Sequence, residues 1–195
     1  MTNTKSSLLS GMAVLAACAW LSSGCASNET ASCCTPTPAA TAPAPAAAPA
    51  AGQAKIPLKV VKADSEETAG EDGKAANAVD GDPNTIWHTQ WQDSAPPCPH
   101  EIIIELTPPA SIKGFTYLPR QDDSENGTIK DYEFYVSNDG SNFGQPVAKG
   151  SFEGGKELKT VKLVEPQTCR FLKLKAISEI NNGAWTSAAE IGVVQ

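Results

Sequence analysis

From about residue 56 onward, the chain alternates short apolar runs with groups of turn-forming residues. Residues 101–106, with the sequence EIIIEL, form an apolar run of the length of one strand. Tyr132, Phe134 and Val136 alternate with Glu133 and Tyr135, and a period of two is typical of a half-buried strand. No segment keeps a helical period. The predicted strands cover residues 56–61, 87–91, 101–106, 112–118, 132–136, 161–163, 171–175 and 189–194.

Turn signals lie between these predicted strands. They are rich in glycine, proline and asparagine, which favour tight turns, and they occur at Pro108-Pro109, Asn126-Gly127, residues 138–140 and Gly154-Gly155. Short strands at regular spacing with such turns indicate an all-β fold, either a β-sandwich or a jelly roll. The predicted folded domain covers residues 56–195.

The first part of the chain has a different composition. Residues 1–25 combine Lys5 with an interrupted apolar stretch, which is typical of an export signal and too short for a secure membrane span. The sequences LAAC, ending at Cys18, and LSSGC, ending at Cys25, both resemble a bacterial lipobox. We therefore expect a lipoprotein signal peptide cleaved before Cys18 or Cys25, and an exported protein anchored in the cell envelope, at the outer membrane or cell surface. Secretion without lipid is the alternative.

Residues 26–55 are rich in proline and alanine, and this composition predicts a disordered, extended linker. The whole chain carries a net charge of −7 and has no basic run, so nucleic acid and anionic lipid surfaces are poor candidates for partners.

The chain has six cysteines, and only Cys98 and Cys169 fall inside the predicted folded domain. Export permits a disulfide between these two. Two unpaired buried thiols are the alternative.

The stretch DGDPNTIWHTQW, residues 80–91, concentrates candidate chemistry. Asp80, Asp82 and Asn84 crowd oxygen atoms into one turn, with the opening spacing of an EF-hand loop. That loop needs glycine at its sixth position and glutamate at its twelfth, where this chain has Thr85 and Trp91. A Ca²⁺ site here would therefore need ligands from elsewhere in the fold. A turn that binds only water is the alternative.

Five ordered blocks carry a resemblance to a known family: NAVDGDPNTIWHTQW, PHEIIIEL, GFTYLPRQ, NGTIKDYEFYVSNDG and WTSAAEIGVV. Together they resemble a discoidin domain, also called a coagulation factor 5/8 type C domain. The chain is most similar to family 32 carbohydrate-binding modules. The resemblance implies a galactose-binding-domain-like jelly roll with a structural Ca²⁺. The implied ligands are the carbonyls of Asn77, Thr85 and Ala189 and the carboxylates of Asp80, Asp82 and Glu190.

The same resemblance implies a site for galactose, N-acetylgalactosamine or related glycans. His88, Arg120 and Asn126 would bind the hydroxyl groups, and Trp91 and Trp185 would stack on the sugar ring. Without the resemblance, other interpretations stay open. Arg120 also suits a surface ion pair with Asp122 or Asp123, and Asn126-Gly127 suits a plain hairpin turn.

The sequence therefore predicts a non-catalytic, calcium-stabilised carbohydrate-binding module on an exported lipoprotein. The acidic loop at Asp122, Asp123 and Glu125 has the pattern of a solvated turn, and no Ser/His/Asp order accompanies it. Expected partners are a glycan, the membrane through a lipid anchor only, and glycan-degrading enzymes or surface proteins. The alternatives are a discoidin-type protein-adhesion domain and a structural envelope lipoprotein.

Overall fold

The computed structural model describes residues 55–195. The expected signal peptide, the lipidation candidates Cys18 and Cys25, and residues 26–54 of the expected linker lie outside this range. Within residues 55–195, no helix has the length and apolar character needed to cross a bilayer. The elements are a 3₁₀ helix, Ala75–Val79, and the strands β1 Leu58–Ala63, β2 Trp87–His88, β3 His100–Leu118, β4 Asp131–Ser137, β5 Ala148–Ser151, β6 Lys159–Ala176, β7 Ser187–Ala188 and β8 Glu190–Val194.

The strands form an antiparallel jelly-roll β-sandwich, and the all-β prediction is confirmed. The large sheet has the order β1-β3-β6-β4-β5, and β8 pairs with the second half of β3. A small sheet joins β2 to β7, with Trp87 opposite Ala188 and His88 opposite Ser187. This small sheet fixes the loops on either side of it.

The strands β3 and β6 are longer than the sequence predicts. The predicted strands 101–106 and 112–118 belong to one strand, and the ladder is irregular between Glu105 and Ala110 and again between Ile112 and Gly114. Proline removes a ladder hydrogen bond without leaving the extended conformation, so Pro108-Pro109 interrupts the pairing but does not end the strand. The predicted strands 161–163 and 171–175 likewise merge into β6.

The core forms where the buried faces of these strands meet. Ile102 and Ile104 of β3 are fully buried opposite Leu174 and Leu172 of β6. Phe115 stacks on Phe134, with 4.2 Å between ring centroids. Burying each large apolar side chain contributes about 1.5–3 kcal/mol, so this continuous core accounts for the rigidity of the strands that carry the loops.

The predicted strand 87–91 is shorter in the structure, where only Trp87–His88 is paired. The backbone N–H groups of Trp91 and Gln92 donate to the Glu67 carboxylate instead, each at 2.8 Å. Simple alternation would bury Trp87 and expose His88, yet both are buried. The reason is that loops cover the second face of β2 as well.

The possible disulfide between Cys98 and Cys169 is absent, and both residues are free thiols. Cys169 lies opposite Ala110, whereas Cys98 immediately precedes the part of β3 that pairs with Ala176. The intervening stretch of β6 spans roughly 20 Å at about 3.3 Å per residue, and a disulfide needs Cα atoms within about 7 Å. The alternative of two unpaired thiols is the one that the structure shows, although Cys98 is only half-buried.

Candidate functional site

A cleft of about 320 Å³ opens beside the small sheet. All five side chains predicted to bind sugar line it, although they come from three separate parts of the chain. Two further residues line the same cleft and were not predicted from the sequence. The full lining consists of His88, Trp91, Arg120, Asn126 and Trp185, together with Glu71 and Ser124.

The small sheet brings the three contributing segments together. The Ser187 N–H donates to the Gly127 carbonyl at 2.7 Å, and its hydroxyl donates to the Asn126 carbonyl at 3.0 Å. Gly127 has φ of 82°, and a Cβ there would lie 2.7 Å from the Ser187 nitrogen. The predicted Asn126-Gly127 turn therefore requires glycine, and it also places Asn126 at the edge of the cleft.

His88 is buried at the base of the cleft, with only 3% of its surface exposed. Its Nδ1 lies 2.6 Å from the Thr89 carbonyl. Because a carbonyl only accepts, this contact places the proton on Nδ1 and leaves Nε2 as an acceptor. Burial lowers the pKa of His88 below its ordinary value, against the opposing effects of Thr89 and the Glu71 carboxylate. The neutral imidazole is therefore the form present near pH 7.

Arg120 is held in a fixed orientation. Its Nε and Nη2 donate to the two oxygens of Asp122 at 2.6 and 2.5 Å, and its Nη1 donates to the Asn126 carbonyl at 3.2 Å. The hydrogen bond to Asp122 raises the pKa of Arg120. The ion-pair interpretation is thus realised with Asp122, and the same guanidinium lines the cleft. Of its five N–H donors, those not used in these contacts remain for a ligand.

The two tryptophans differ in exposure. Trp91 is 38% exposed, and its indole N–H donates to Glu71 Oε1 at 2.9 Å. Its ring also packs over Gly70, where a Cβ would lie 2.6 Å from the ring. Trp185 is half-buried, and its indole nitrogen is buried without a hydrogen-bond partner in residues 55–195. The Trp91 ring therefore has a restricted orientation before any ligand binds.

Two buried glutamates hold the loops around the cleft. Glu67 accepts hydrogen bonds from the N–H groups of Ala69, Gly70, Trp91 and Gln92, which lower its pKa to about 2. Glu179 accepts from the N–H groups of Asn181 and Gly183, both at 2.7 Å. Neither glutamate, nor Glu71, lies in a recognisable motif. Their partners lie in irregular loops, so the local sequence carries no signal for these roles.

The turn after the 3₁₀ helix contains the expected cation ligands. The Glu190 carboxylate accepts the Gly81 N–H at 2.6 Å, and the Asp80 carboxylate lies nearby. Burial, together with this neighbouring carboxylate, raises the pKa of Glu190. Asp82 instead accepts from the backbone and side-chain nitrogens of Asn84, at 2.9 and 2.8 Å.

The structure thus brings the Asp80 and Glu190 carboxylates together, whereas the Asp82 carboxylate is bonded within its own turn. No group of three or more His, Cys, Asp or Glu side chains in residues 55–195 is arranged to hold a metal ion. The expected carbonyl donors belong to Asn77 in the 3₁₀ helix, Thr85 after the turn and Ala189 before β8. Paired carboxylates beside a tight turn fit a hard cation chemically.

The sequence profile of F5/8 type C domains matches residues 61–191. The chain belongs to this family. Curated relatives of this F5/8 type C domain include a sialidase of Micromonospora viridifaciens, 39% identical over 138 residues, and a galactose oxidase of Gibberella zeae, 39% identical over 136 residues. The alignments cover 70% and 69% of this chain and 21% and 19% of the relatives, so the chain spans about a fifth of their length.

Solved structures similar to this F5/8 type C domain are family 32 carbohydrate-binding modules. A module from Clostridium perfringens in complex with GalNAc-β-1,3-galactose is 36% identical with a TM-score of 0.66, over 73% of this chain and 100% of that chain. The family 32 module of NanJ from the same organism, in complex with galactose, is 30% identical with a TM-score of 0.60, over 71% of this chain and 96% of that chain. These matches confirm the predicted family and fold.

Proposed function

We propose that this F5/8 type C domain is a carbohydrate-binding module whose cleft takes a galactose- or N-acetylgalactosamine-type sugar. The observation that carries the proposal is the convergence of His88, Trp91, Arg120, Asn126 and Trp185 in one cleft. The bound ligands named for the two Clostridium perfringens modules, galactose and GalNAc-β-1,3-galactose, support this class of sugar.

The chemistry of the lining suits such a ligand. A galactose ring has one apolar face of C–H groups, and the exposed Trp91 ring offers a flat surface to stack on. The hydroxyl groups need donors and acceptors in fixed positions. Arg120 supplies donors, the neutral His88 supplies Nε2 as an acceptor, and the Asn126 side-chain amide supplies both.

The module is proposed to bind without catalysing a reaction. A glycosidase needs two carboxyl groups, one of them held protonated as a general acid by a raised pKa. Beside the cleft, the Arg120 guanidinium, through its hydrogen bonds, lowers the pKa of Asp122. Glu71 is tied to the indole of Trp91. These carboxylates hold binding residues in place, which suits recognition.

A structural Ca²⁺ is part of the proposal. Asp80 and Glu190 would supply carboxylate oxygens. Further ligands would be the carbonyls of Asn77, Thr85 and Ala189. Asp82, which accepts hydrogen bonds from Asn84 in the structure, would turn toward the ion as a further ligand. A cation there would neutralise two adjacent carboxylates, one of which has a raised pKa. It would also tie the turn after the 3₁₀ helix to the beginning of β8.

Export and lipid anchoring through Cys18 or Cys25 remain part of the proposal, with residues 26–55 as a tether. Such an anchor would present the module at the cell envelope, near glycans or glycan-degrading enzymes. The relatives that share this domain include a sialidase and a galactose oxidase, which are several times longer than this chain. A protein-adhesion role is the second candidate, and it predicts a different ligand class.

A glycan array with the wild-type protein and His88→Ala tests the proposed function. We expect binding to galactose- or N-acetylgalactosamine-terminated glycans in the micromolar to millimolar range, about −8 to −4 kcal/mol. His88→Ala removes the acceptor at the base of the cleft and should abolish the signal. Lys149→Ala, at an exposed position on β5, is the control and should bind like wild type. Absence of binding to every glycan on the array, together with capture of a protein in a pull-down, would favour protein adhesion instead.

A further inference from the structure

His100 begins β3 and is fully buried behind the cleft, outside its lining. Its Nδ1 lies 2.8 Å from Asp64 Oδ2. Its Nε2 lies 2.9 Å from the Ala184 carbonyl and 3.2 Å from the Pro96 carbonyl. All three partners are acceptors, so both ring nitrogens face oxygen atoms.

This environment suits the imidazolium form. A neutral imidazole has a single N–H, so one of its nitrogens would direct a lone pair at an acceptor oxygen. The protonated ring donates from both nitrogens and satisfies both sides. Burial alone lowers the pKa of His100, but the hydrogen bonds to Asp64 and Ala184 outweigh burial and raise the pKa above its ordinary value.

The Ala184 carbonyl connects His100 to the cleft, because the next residue is Trp185. The loop is held on either side of this point by other contacts. Glu179 accepts from the Gly183 N–H at 2.7 Å, and the Thr186 N–H donates to the Thr89 hydroxyl at 2.9 Å. His100 therefore holds the Ala184 carbonyl, which lies between these two attachments and directly before the tryptophan.

Few other titratable groups act on this pair. The Asp64 carboxylate also accepts the Glu101 N–H at 2.8 Å, and its pKa is lowered, since the hydrogen bonds from His100 and Glu101 outweigh burial. The Cys98 thiol lies 3.6 Å from the Ala184 carbonyl, and burial raises its pKa, which favours the neutral thiol. The Glu179 carboxylate, which belongs to the same loop as Ala184, also contributes to raising the pKa of the Cys98 thiol.

We propose that His100 is a positioning residue of the sugar cleft, which in its protonated form holds the loop carrying Trp185 in the binding geometry. This inference rests on the proposed function and adds a regulation by pH. As the pH rises through the pKa of His100, the ring loses one donor, and the Ala184 carbonyl keeps only the longer contact with the Cys98 thiol. Sugar affinity then falls on the alkaline side. His88 acts in the opposite direction, because its protonation removes an acceptor on the acidic side.

The test is the galactose dissociation constant between pH 6 and 9 for wild type, Asp64→Asn and His100→Gln. The wild-type affinity should fall by about tenfold above the pKa of His100, the loss expected for one charge-assisted hydrogen bond. Asp64→Asn keeps an acceptor for the Glu101 N–H but removes the charge that stabilises the imidazolium. The alkaline fall should therefore move to lower pH. His100→Gln should show no alkaline fall.

Asp139→Asn, in the turn after β4, is the matched control and should keep the wild-type profile. An affinity that is constant from pH 6.5 to 9, or an alkaline fall unmoved in Asp64→Asn, would overturn the proposal. The Trp185 indole resonance gives a reading that needs no sugar. It should titrate with the His100 ring in wild type and shift with it in Asp64→Asn, and independence of the two would also overturn the proposal. Absence of galactose binding at every pH would instead contradict the proposed function.

Discussion

At the scale of single residues, the cleft consists of side chains that already have partners. Arg120 is paired with Asp122, Trp91 with Glu71, and His88 with the Thr89 carbonyl. Each pairing fixes one orientation and leaves part of the group for a ligand: N–H donors of Arg120, the ring face of Trp91 and Nε2 of His88. Groups held in this way lose little conformational entropy when a ligand binds, which matters for a small site whose expected affinity is modest.

Asp122→Asn tests whether the ion pair orients Arg120. The substitution keeps the size of the side chain but removes one carboxylate oxygen, so the two-pronged contact at 2.6 and 2.5 Å is lost. We expect galactose affinity to fall by about tenfold. The melting temperature should change little, because the Asp122 side chain is 54% exposed and exposed pairs contribute about 0–1 kcal/mol.

Asp123→Asn is the control for this experiment, since Asp123 is the neighbouring carboxylate and lies fully exposed. It should leave both affinity and melting temperature unchanged. Equal affinities for Asp122→Asn and Asp123→Asn, measured by calorimetric titration, would show that Arg120 does not depend on its partner.

At the scale of elements, alternation of polar and apolar residues predicted most strands but not β5 or β7. β4 follows its two-residue period closely, with Tyr132 and Phe134 buried. The error at β3 arose because Pro108-Pro109 looks like a strand end in sequence but only interrupts the ladder. The loops were less predictable. Glu67 binds nitrogens 24 and 25 residues away, and such contacts depend on how the whole chain folds.

Glu67→Gln tests the carboxylate that accepts the backbone N–H groups of the loops around Trp91. A neutral amide offers one acceptor oxygen for N–H groups that now share two, so we expect a lower melting temperature and weaker galactose binding. The effect should depend on pH. The pKa of Glu67 is lowered to about 2 in the folded protein, so its stabilising contribution is fully present above about pH 4.3, the ordinary value. It is lost as the pH falls toward 2.

Thermal unfolding of wild type and Glu67→Gln between pH 2 and 7 measures this directly. The difference in melting temperature should shrink as the pH approaches 2. Glu153→Gln, at an exposed position after β5, should match wild type throughout. A difference that stays undiminished at pH 2 would show that the charge of Glu67 is not what holds the loop.

Chelation tests the proposed cation between the turn after the 3₁₀ helix and β8. If Ca²⁺ binds the folded protein, its removal should lower the melting temperature, because a ligand specific for the native state stabilises it by mass action. Glu190→Gln should melt lower than wild type in Ca²⁺ and should not respond to chelator. Glu165→Gln, exposed on β6, should respond like wild type. Identical melting of wild type with and without chelator would count against the site.

At the scale of the whole molecule, the sandwich carries its functional groups on loops at the end where the small sheet lies. The resemblance of five sequence blocks predicted which side chains meet there. The structure brings all five of those side chains into one cleft. The resemblance could not predict Glu71 or Ser124, or the roles of Glu67, Glu179 and His100, because no pattern in their own segments marks them. The proposed lipid anchor and residues 26–54 of the proposed linker lie outside residues 55–195.

The most direct test of the central claim follows the indole N–H resonances of the domain while galactose is added. Trp91 and Trp185 line the cleft, whereas Trp87 is fully buried in the core with its N–H bonded to the Ser65 carbonyl at 2.9 Å. The account predicts that the Trp91 and Trp185 resonances shift together along one saturable curve while Trp87 stays in place. Resonances that do not move at saturating galactose, or shifts confined to residues away from the cleft, would contradict it.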